Sequence, residues 1–382
     1  MTAGPTYRIA TIPGDGVGPE VVAAARRVVD AAGGRFGFVV DWSEHAAGGN
    51  AIDAYGVAIR ERDVAACGEA DAILLGAVGG PKWDDPAASV RPEQALFTLR
   101  GRFGLFANLR PVTVHPVIAG AAAPVRAELL DGVDMLIVRE LTGGLYFGER
   151  TEATGAPGER YASDSLPYSE PEIRRVVRLA FELAQARRGR LTSVDKANVL
   201  ATSRLWRSVV DEMRREYPDV EVNHQLVDSC AMLLIKGPAR FDVLVTENLF
   251  GDILSDEAGV LAGSLGMLPS ASLGERRTAH GTFGLYEPIH GSAPDIAGHD
   301  RANPIGTILS AAMLLRLSLG RADAAAAIET AVTTALDDGW RTADLAAATS
   351  PADGLKVVGT VAFAAAVVDA LRAGAVAQGV PA

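Results

Sequence analysis

Cysteine is nearly absent from this chain: only Cys67 and Cys230 occur in 382 residues. They lie far apart and without metal-ligand spacing, so a disulfide framework is excluded and a reducing, cytoplasmic setting is expected. Long apolar runs are also missing. Nowhere do about 18 apolar residues follow one another, so no membrane span is expected. Met1 to Tyr7 lack a basic stretch leading into an apolar one, and no secretory leader is expected either. Runs of Lys and Arg are absent, and the formal net charge of −11 opposes a phosphate backbone. Nucleic acid is therefore not an expected partner. There is no internal repeat and no linker of biased composition.

What the chain does have is core-forming material. Hydrophobic residues make up 48% of it, and chains beyond roughly 250–300 residues usually divide into two domains. Abundant glycine and alanine favour close helix–strand packing, as in α/β proteins. Tyr7 to Ile12 reads as a strand, followed by a glycine-rich turn and a helix over Pro19 to Ala32. Apolar runs at Ala72–Leu75, Val133–Val138, Leu191–Val194 and Asp242–Val245 suit strands covered on both faces. The clearest helix starts at the capping box Ser169–Glu172 and carries the stripe Ile173, Val176, Val177, Ala180, Phe181 and Ala184. A second helix is expected from Thr202 to Tyr217, stopped by Pro218. Glu152 to Ser165 has neither period and is expected as an exposed hairpin or arm. Ala373 to Ala382 is expected to fray.

Gly14-Asp15-Gly16-Val17-Gly18-Pro19 looks at first like a dinucleotide fingerprint. Its third glycine is missing, because Pro19 stands there, and a structural turn into a helix is the better reading. Arg110 and Arg139 sit in strand-like segments and Arg100 lies ahead of them; strand-end arginines can grip carboxylates with two hydrogen bonds. Asp252 and Asp256, four apart, share a helix face, where like charges repel unless a cation joins them. An exposed acidic face is the alternative. Lys196, after a strand ending at Asp195, can serve as a base if its pKa is lowered. Tyr146 lies among Gly143, Gly144 and Gly148, which permit close approach of a ligand. Either residue can equally be structural.

Taken together, these segments resemble the isocitrate/isopropylmalate dehydrogenase family of β-decarboxylating dehydrogenases. The resemblance is carried by Pro13–Glu20, Gly79–Trp83, Phe106–Pro111, Val138–Gly148, Ser193–Leu200, Gly251–Asp256, Leu268–Gly274, His290–Gly298 and Ala302–Pro304, in family order. It implies an α/β fold of two interleaved domains sharing a mixed sheet, not a Rossmann fold, with the site in the cleft. The first domain is expected over residues 1–105 plus 269–382, on the cofactor side. The second, over 106–268, carries the dimer contacts, an arm near Gly148 to Tyr161, and metal and catalytic groups. A homodimer with shared active sites is implied.

The resemblance also implies roles. Arg100, Arg110 and Arg139 would hold the malate carboxylates. Asp252 and Asp256, with Asp228 of the partner subunit, would bind Mg²⁺ or Mn²⁺, Asp228 lying near substrate as well. Lys196, also contributed across the dimer, would take the C2 hydroxyl proton, and Tyr146 would protonate the enol carbon. Glu93, His290, Gly291, Ser292, Ala293, Asp295 and Asn303 would surround NAD. Leu96, Phe97 and Val199 would line the pocket for the C3 substituent, which favours isopropyl. The alternatives are tartrate, D-malate, a bulkier alkyl- or arylmalate, or a silent regulatory subunit. Departures from the family pattern are Phe97 beside Leu96, Glu247 near the metal helix, a longer stretch over Glu275 to Thr282 that could alter closure of the cofactor loop, and Cys230, read as a small buried side chain.

Overall fold

A computed structural model of the chain describes residues 4–85, 88–119, 125–346 and 354–377. In chain order the strands are β1 (Thr6–Gly14), β2 (Val39–Glu44), β3 (Ala72–Ala77), β4 (Ala107–Thr113), β5 (Asp134–Glu140), β6 (Arg150–Thr154), β7 (Tyr161–Asp164), β8 (Arg190–Asp195), β9 (Glu221–Leu226), β10 (Val243–Thr246), β11 (Pro269–Arg277) and β12 (Thr282–Pro288). Two compact units are present: Met1–Leu105 with His115–Pro124 and Ala262–Ala382, and Phe106–Val114 with Val125–Leu261. The chain thus leaves the first unit and returns to it. His115–Pro124, expected in the second domain, belongs to the first unit, and the last return falls at Ala262 rather than at residue 269. Ser264 Oγ donates to Asp344, and Gly266 lies where a Cβ would stand 2.6 Å from Asn303 Cβ, so this stretch packs within the first unit.

In the first unit the strand order is β2-β1-β3-β12-β11. β1 is parallel to β2 and β3, β3 is parallel to β12, and β12 is antiparallel to β11. β3 is buried at every position, as its continuous apolar run requires. The helix after β1 runs from Gly18 to Phe36, has proline in its first turn, and ends at Gly37, whose φ of 69° is left-handed. Gly76 lets that helix approach β3: a Cβ there would sit 2.7 Å from the Cα of Gly18. The stretch over Glu275 to Thr282 is the end of β11, a tight turn closed by Thr278 N–H on the Gly281 carbonyl (2.8 Å), and the start of β12. It is a hairpin tip, not a loosened loop. The final helix spans Thr360–Ala377, so Ala373 to Ala377 are helical rather than frayed. The remaining residues expected to fray lie outside the described ones.

In the second unit the order is β4-β5-β10-β8-β9, with β4 antiparallel to β5 and the others parallel. Both units are therefore α/β with mixed strands, the class expected. The capping-box helix spans Glu170–Gln185 and buries the entire predicted stripe. The next helix, Ala201–Met213, tightens into a 3₁₀ turn over Arg214–Glu216 before Pro218. β6 and β7 form an antiparallel hairpin that is exposed throughout, where the arm was expected. Cys67 and Cys230 are both fully buried, and burial pushes each thiol up to about 12. Cys230 is thus the small buried side chain expected. Among the described residues no helix is long and apolar enough to cross a membrane.

Candidate active site

The end of β5 and the helix Asn248–Gly259 build a cluster of opposite charges in the second unit. Arg139 is 5% exposed. Its Nε donates to Asn248 Oδ1 at 3.0 Å and its Nη1 to Asp252 Oδ1. Arg110, on β4, donates to Asn108 Oδ1 (2.7 Å), Ser255 Oγ (2.6 Å) and Asp256 Oδ1 (3.1 Å). Arg110 Nη2 also stands 3.7 Å from Asp252. Tyr146, in the short turn Gly144–Tyr146, donates its hydroxyl to Asp252 Oδ2 at 2.9 Å. Burial, reinforced by that hydrogen bond, pushes its phenol up to about 12, so it stays protonated at neutral pH. Gly251 explains the glycine of its motif, because a Cβ there would lie 2.6 Å from Arg139 Cγ.

The i,i+4 aspartates are therefore not a bland acidic face. Their side chains are 34% and 64% exposed, while the guanidinium groups behind them are nearly buried. Two arginines and two aspartates leave the cluster close to neutral. Each aspartate keeps oxygen lone pairs toward the surface, a donor set that fits a hard divalent cation. Two carboxylates are fewer ligands than such an ion takes. Among the described residues no group of three or more His, Cys, Asp or Glu could hold a metal.

Lys196 and Asp228 form a separate pair, with Nζ 2.5 Å from Oδ1. That bond holds the Asp228 carboxyl below the usual carboxylate range. Asp195 is buried and gripped by Arg207 through two hydrogen bonds of 2.9 Å, which makes it an anchor for the Lys196 turn. Val199, in the same turn, is 61% exposed.

The remaining predicted residues lie in the first unit. Arg100 pairs with Glu287 at 2.8 Å, but its Nε is buried without a hydrogen-bond partner. Glu93 is the N-cap residue of the Gln94–Phe103 helix. Leu96 is half-buried, packing in part against the core of its own unit, and Phe97 beside it is 48% exposed. Ser292 is buried and Asp295 exposed. Asn303 is buried with both ends of its amide engaged, donating to Asp344 (3.0 Å) and accepting from Ile305 N–H (3.0 Å).

His290 contacts the Gly291 carbonyl through Nδ1 at 2.8 Å, whereas its Nε2 is buried without a partner among the described residues. An orphaned ring nitrogen of this kind fits a ligand that supplies the missing hydrogen bond. Burial holds the imidazole below its ordinary value. A depressed histidine contributes stability above its unfolded value of about 6.5, and that contribution is lost as pH falls. His290→Gln should therefore flatten the decline in melting temperature between pH 7 and pH 5. Equal slopes for the two proteins would remove His290 as its source.

Several groups in the cluster could not have been found by motif spacing. Asn248 and Ser255 hold the arginines. Glu247, noted above only as a departure, caps the aspartate helix by accepting from Phe250 N–H (2.9 Å) and Leu249 N–H (3.1 Å). Its carboxyl is raised by burial. Tyr168 links Glu247 (3.4 Å) to buried Glu140 (3.1 Å), which also accepts from the amides of Thr142 and Gly143 ahead of Tyr146.

The sequence model of the isocitrate/isopropylmalate dehydrogenase family matches residues 8–367. The chain belongs to this family. Within it, the chain is 57% identical over 338 residues to a 3-isopropylmalate dehydrogenase of Anaeromyxobacter dehalogenans, covering 88% of this chain and 94% of that one. It is 52% identical over 370 residues to a 3-isopropylmalate dehydrogenase of Symbiobacterium thermophilum, covering 96% and 99%. Among solved structures, an isocitrate dehydrogenase from Methylococcus capsulatus superposes with a TM-score of 0.81 at 35% identity, covering 96% of this chain and 99% of that one. The family fold is thus the fold of this chain.

Proposed function

We propose that the protein oxidises and decarboxylates 3-isopropylmalate to 4-methyl-2-oxopentanoate in leucine biosynthesis, using NAD⁺ and Mg²⁺ or Mn²⁺. The observation that carries this reading is the Arg110–Arg139–Asp252–Asp256–Tyr146 cluster in a chain so similar to isopropylmalate dehydrogenases. A nearly neutral set of two arginines and two carboxylates suits a neutral guest. A divalent cation with a dicarboxylate dianion is such a guest, and each internal Arg–Asp pair can be exchanged for one with the ligand.

Arg110, Arg139 and Arg100 orient the substrate carboxylates, the last through the guanidinium edge that now lacks a partner. Asp252 and Asp256 hold the cation, joined by Asp228 of the partner subunit. A divalent cation held there would acidify the C2 hydroxyl and offset charge that develops on the enolate. Lys196 of the partner subunit takes the hydroxyl proton as the hydride leaves C2, NAD⁺ being the group that would accept it. The resulting ketone is β to the second carboxylate, so the C–C bond breaks, CO₂ leaves, and its electron pair forms an enolate. Tyr146, protonated at neutral pH, delivers the proton to C3. His290, Gly291, Ser292, Ala293, Asp295, Asn303 and Glu93 surround the dinucleotide. Active sites completed by a second copy make a homodimer the working form. The buried, free thiols suit the cytoplasm.

Leu96 and Phe97, with Val199 of the partner subunit, supply apolar surface for the C3 substituent. A hydroxyl or bare hydrogen there forfeits that burial, at about 0.8 kcal/mol per CH₂. Isopropylmalate should therefore beat malate by ~10–200-fold in kcat/KM. The exposed carboxylate of Asp295 repels a 2′-phosphate, so NAD⁺ should be preferred to NADP⁺. Both expectations are checked with malate, tartrate, isopropylmalate and benzylmalate against each cofactor, read by absorbance of the reduced nicotinamide. A preference for tartrate or malate would overturn the substrate assignment. A preference for benzylmalate would keep the reaction and enlarge the pocket. Equal kcat/KM with NADP⁺ would remove Asp295 from its role.

A further inference from the structure

We propose that Glu20 is a positioning residue for the His290–Gly298 loop, and that through this loop it sets affinity for the dinucleotide without touching it. The inference rests on the assignment of that loop to the cofactor.

The turn Gly14–Glu20 has the glycines of a phosphate cradle, but its donors are spent on protein. Val17 N–H, at the start of the Gly18–Phe36 helix, donates to the Ser292 carbonyl at 2.8 Å. Gly16 has a φ of 58°, and a Cβ there would lie 1.9 Å from the same oxygen, so only glycine admits the loop so close. A negative Glu20 in the first turn also opposes a bound phosphate. The turn seats a loop rather than a pyrophosphate.

Glu20 holds the far end of that loop. Its Oε1 accepts the Gly298 N–H, while its Oε2 is buried without a partner among the described residues. A carboxylate committed to one backbone amide at the expense of its second oxygen is a costly way to cap a turn. Between the two tethers, Ala293, Ile296 and Ala297 pack on Val17, Val21 and Ala302. Ala293 takes a φ of 38°, left-handed for a non-glycine residue, and keeps that conformation only while its surroundings hold it. Beyond the loop, Thr360 Oγ1 donates to the Ala302 carbonyl (2.6 Å) and Val361 N–H to Asp300 (2.8 Å), so the downstream chain is anchored independently. Losing Glu20 therefore frees the segment 293–298 and little else.

The test compares full-length wild type with Glu20→Ala, Glu20→Asp and Glu20→Gln. Without any cofactor, amide hydrogen exchange over 293–298 should accelerate in Glu20→Ala. It should accelerate in Glu20→Asp too, because the shorter side chain keeps the charge but loses the reach. Glu20→Gln keeps an acceptor oxygen and should restore most of the protection. KM for NAD⁺ should rise about tenfold in the first two variants, the worth of one charge-assisted hydrogen bond. Meanwhile kcat at saturating NAD⁺ and KM for the hydroxy acid stay unchanged. Glu20→Asp carries the measurement if Glu20→Ala does not fold. Unchanged exchange over 293–298 overturns the positioning role, and so does a loss of kcat without a change in KM for NAD⁺. Faster exchange with an unchanged KM overturns the link to affinity. Failure of NAD⁺ alone to raise the melting temperature of wild type defeats the cofactor assignment itself, and the exchange data recognise that case separately.

Discussion

Tyr146→Phe is expected to fold as wild type and to turn over about 10²–10⁴-fold more slowly. The substitution removes one hydroxyl, which among the described residues hydrogen-bonds only to Asp252, at 2.9 Å. Tyr146 is 36% exposed, so no core is disturbed. The phenol edge also lies beside Arg139, whose guanidinium carbon is 5.8 Å from the ring centroid, and phenylalanine keeps that contact. In the role proposed for Tyr146, what disappears is the proton destined for C3. Hydride transfer precedes that step, so the variant should still form reduced nicotinamide in a first turnover and stall later. With substrate deuterated at C2, the isotope effect on kcat should fall toward one, because a later step now limits. Unchanged kcat would return Tyr146 to a structural role. Slow turnover with an undiminished isotope effect would place its contribution at hydride transfer instead.

The elements that hold this residue show what a sequence conveys and what it hides. The capping box at Ser169 and the stripe behind it were readable, because the hydrogen bonds and the buried face repeat at helical spacing within 16 residues. β3 and β10 were readable as unbroken apolar runs. The paired aspartates were readable as a helix face, though not the two arginines beneath them. Arg110 lies 142 and 146 residues from Asp252 and Asp256 in sequence, and only the β4–β5–β10 register brings their elements together. The Glu140–Tyr168–Glu247 network is of the same kind. Each member is an ordinary polar residue, and its meaning comes from burial against partners 28 and 79 positions away.

Leu96 and Phe97 are adjacent on one helix, where Leu96 is half-buried against its unit's core and Phe97 is exposed. Nothing in the spacing of the Gly14–Pro19 turn announced the carbonyl of Ser292, 275 residues from Val17, that accepts from the Val17 N–H just ahead of the helix.

Removing divalent cations should abolish turnover, and Asp252→Asn should cost about 10²–10³-fold in kcat even with the metal in excess. The expectation follows from the charge balance of the cluster. Asp252 and Asp256 compensate Arg139 and Arg110, so replacing one carboxylate leaves an excess positive charge that opposes a cation. The same excess favours an anion. Asp252→Asn should therefore need far more Mg²⁺ or Mn²⁺ for half-maximal activity, while its metal-free affinity for the dicarboxylate stays equal or improves. The opposite signs separate a ligand role from a general loss of structure, which would weaken both. Structure itself should change little. Arg139 keeps its bond to Asn248 Oδ1, and an asparagine oxygen can still accept from Nη1. Breaking a fully buried pair costs roughly 3–5 kcal/mol, but Asp252 is one-third exposed and water can take up part of the loss, so about 1 kcal/mol is expected. Calorimetric titration with MgCl₂ and with substrate, each alone, reads both signs. Full activity after EDTA dialysis would end the metal assignment. An unaltered metal requirement in Asp252→Asn would leave Asp252 as no more than the counter-ion that keeps Arg139 in place.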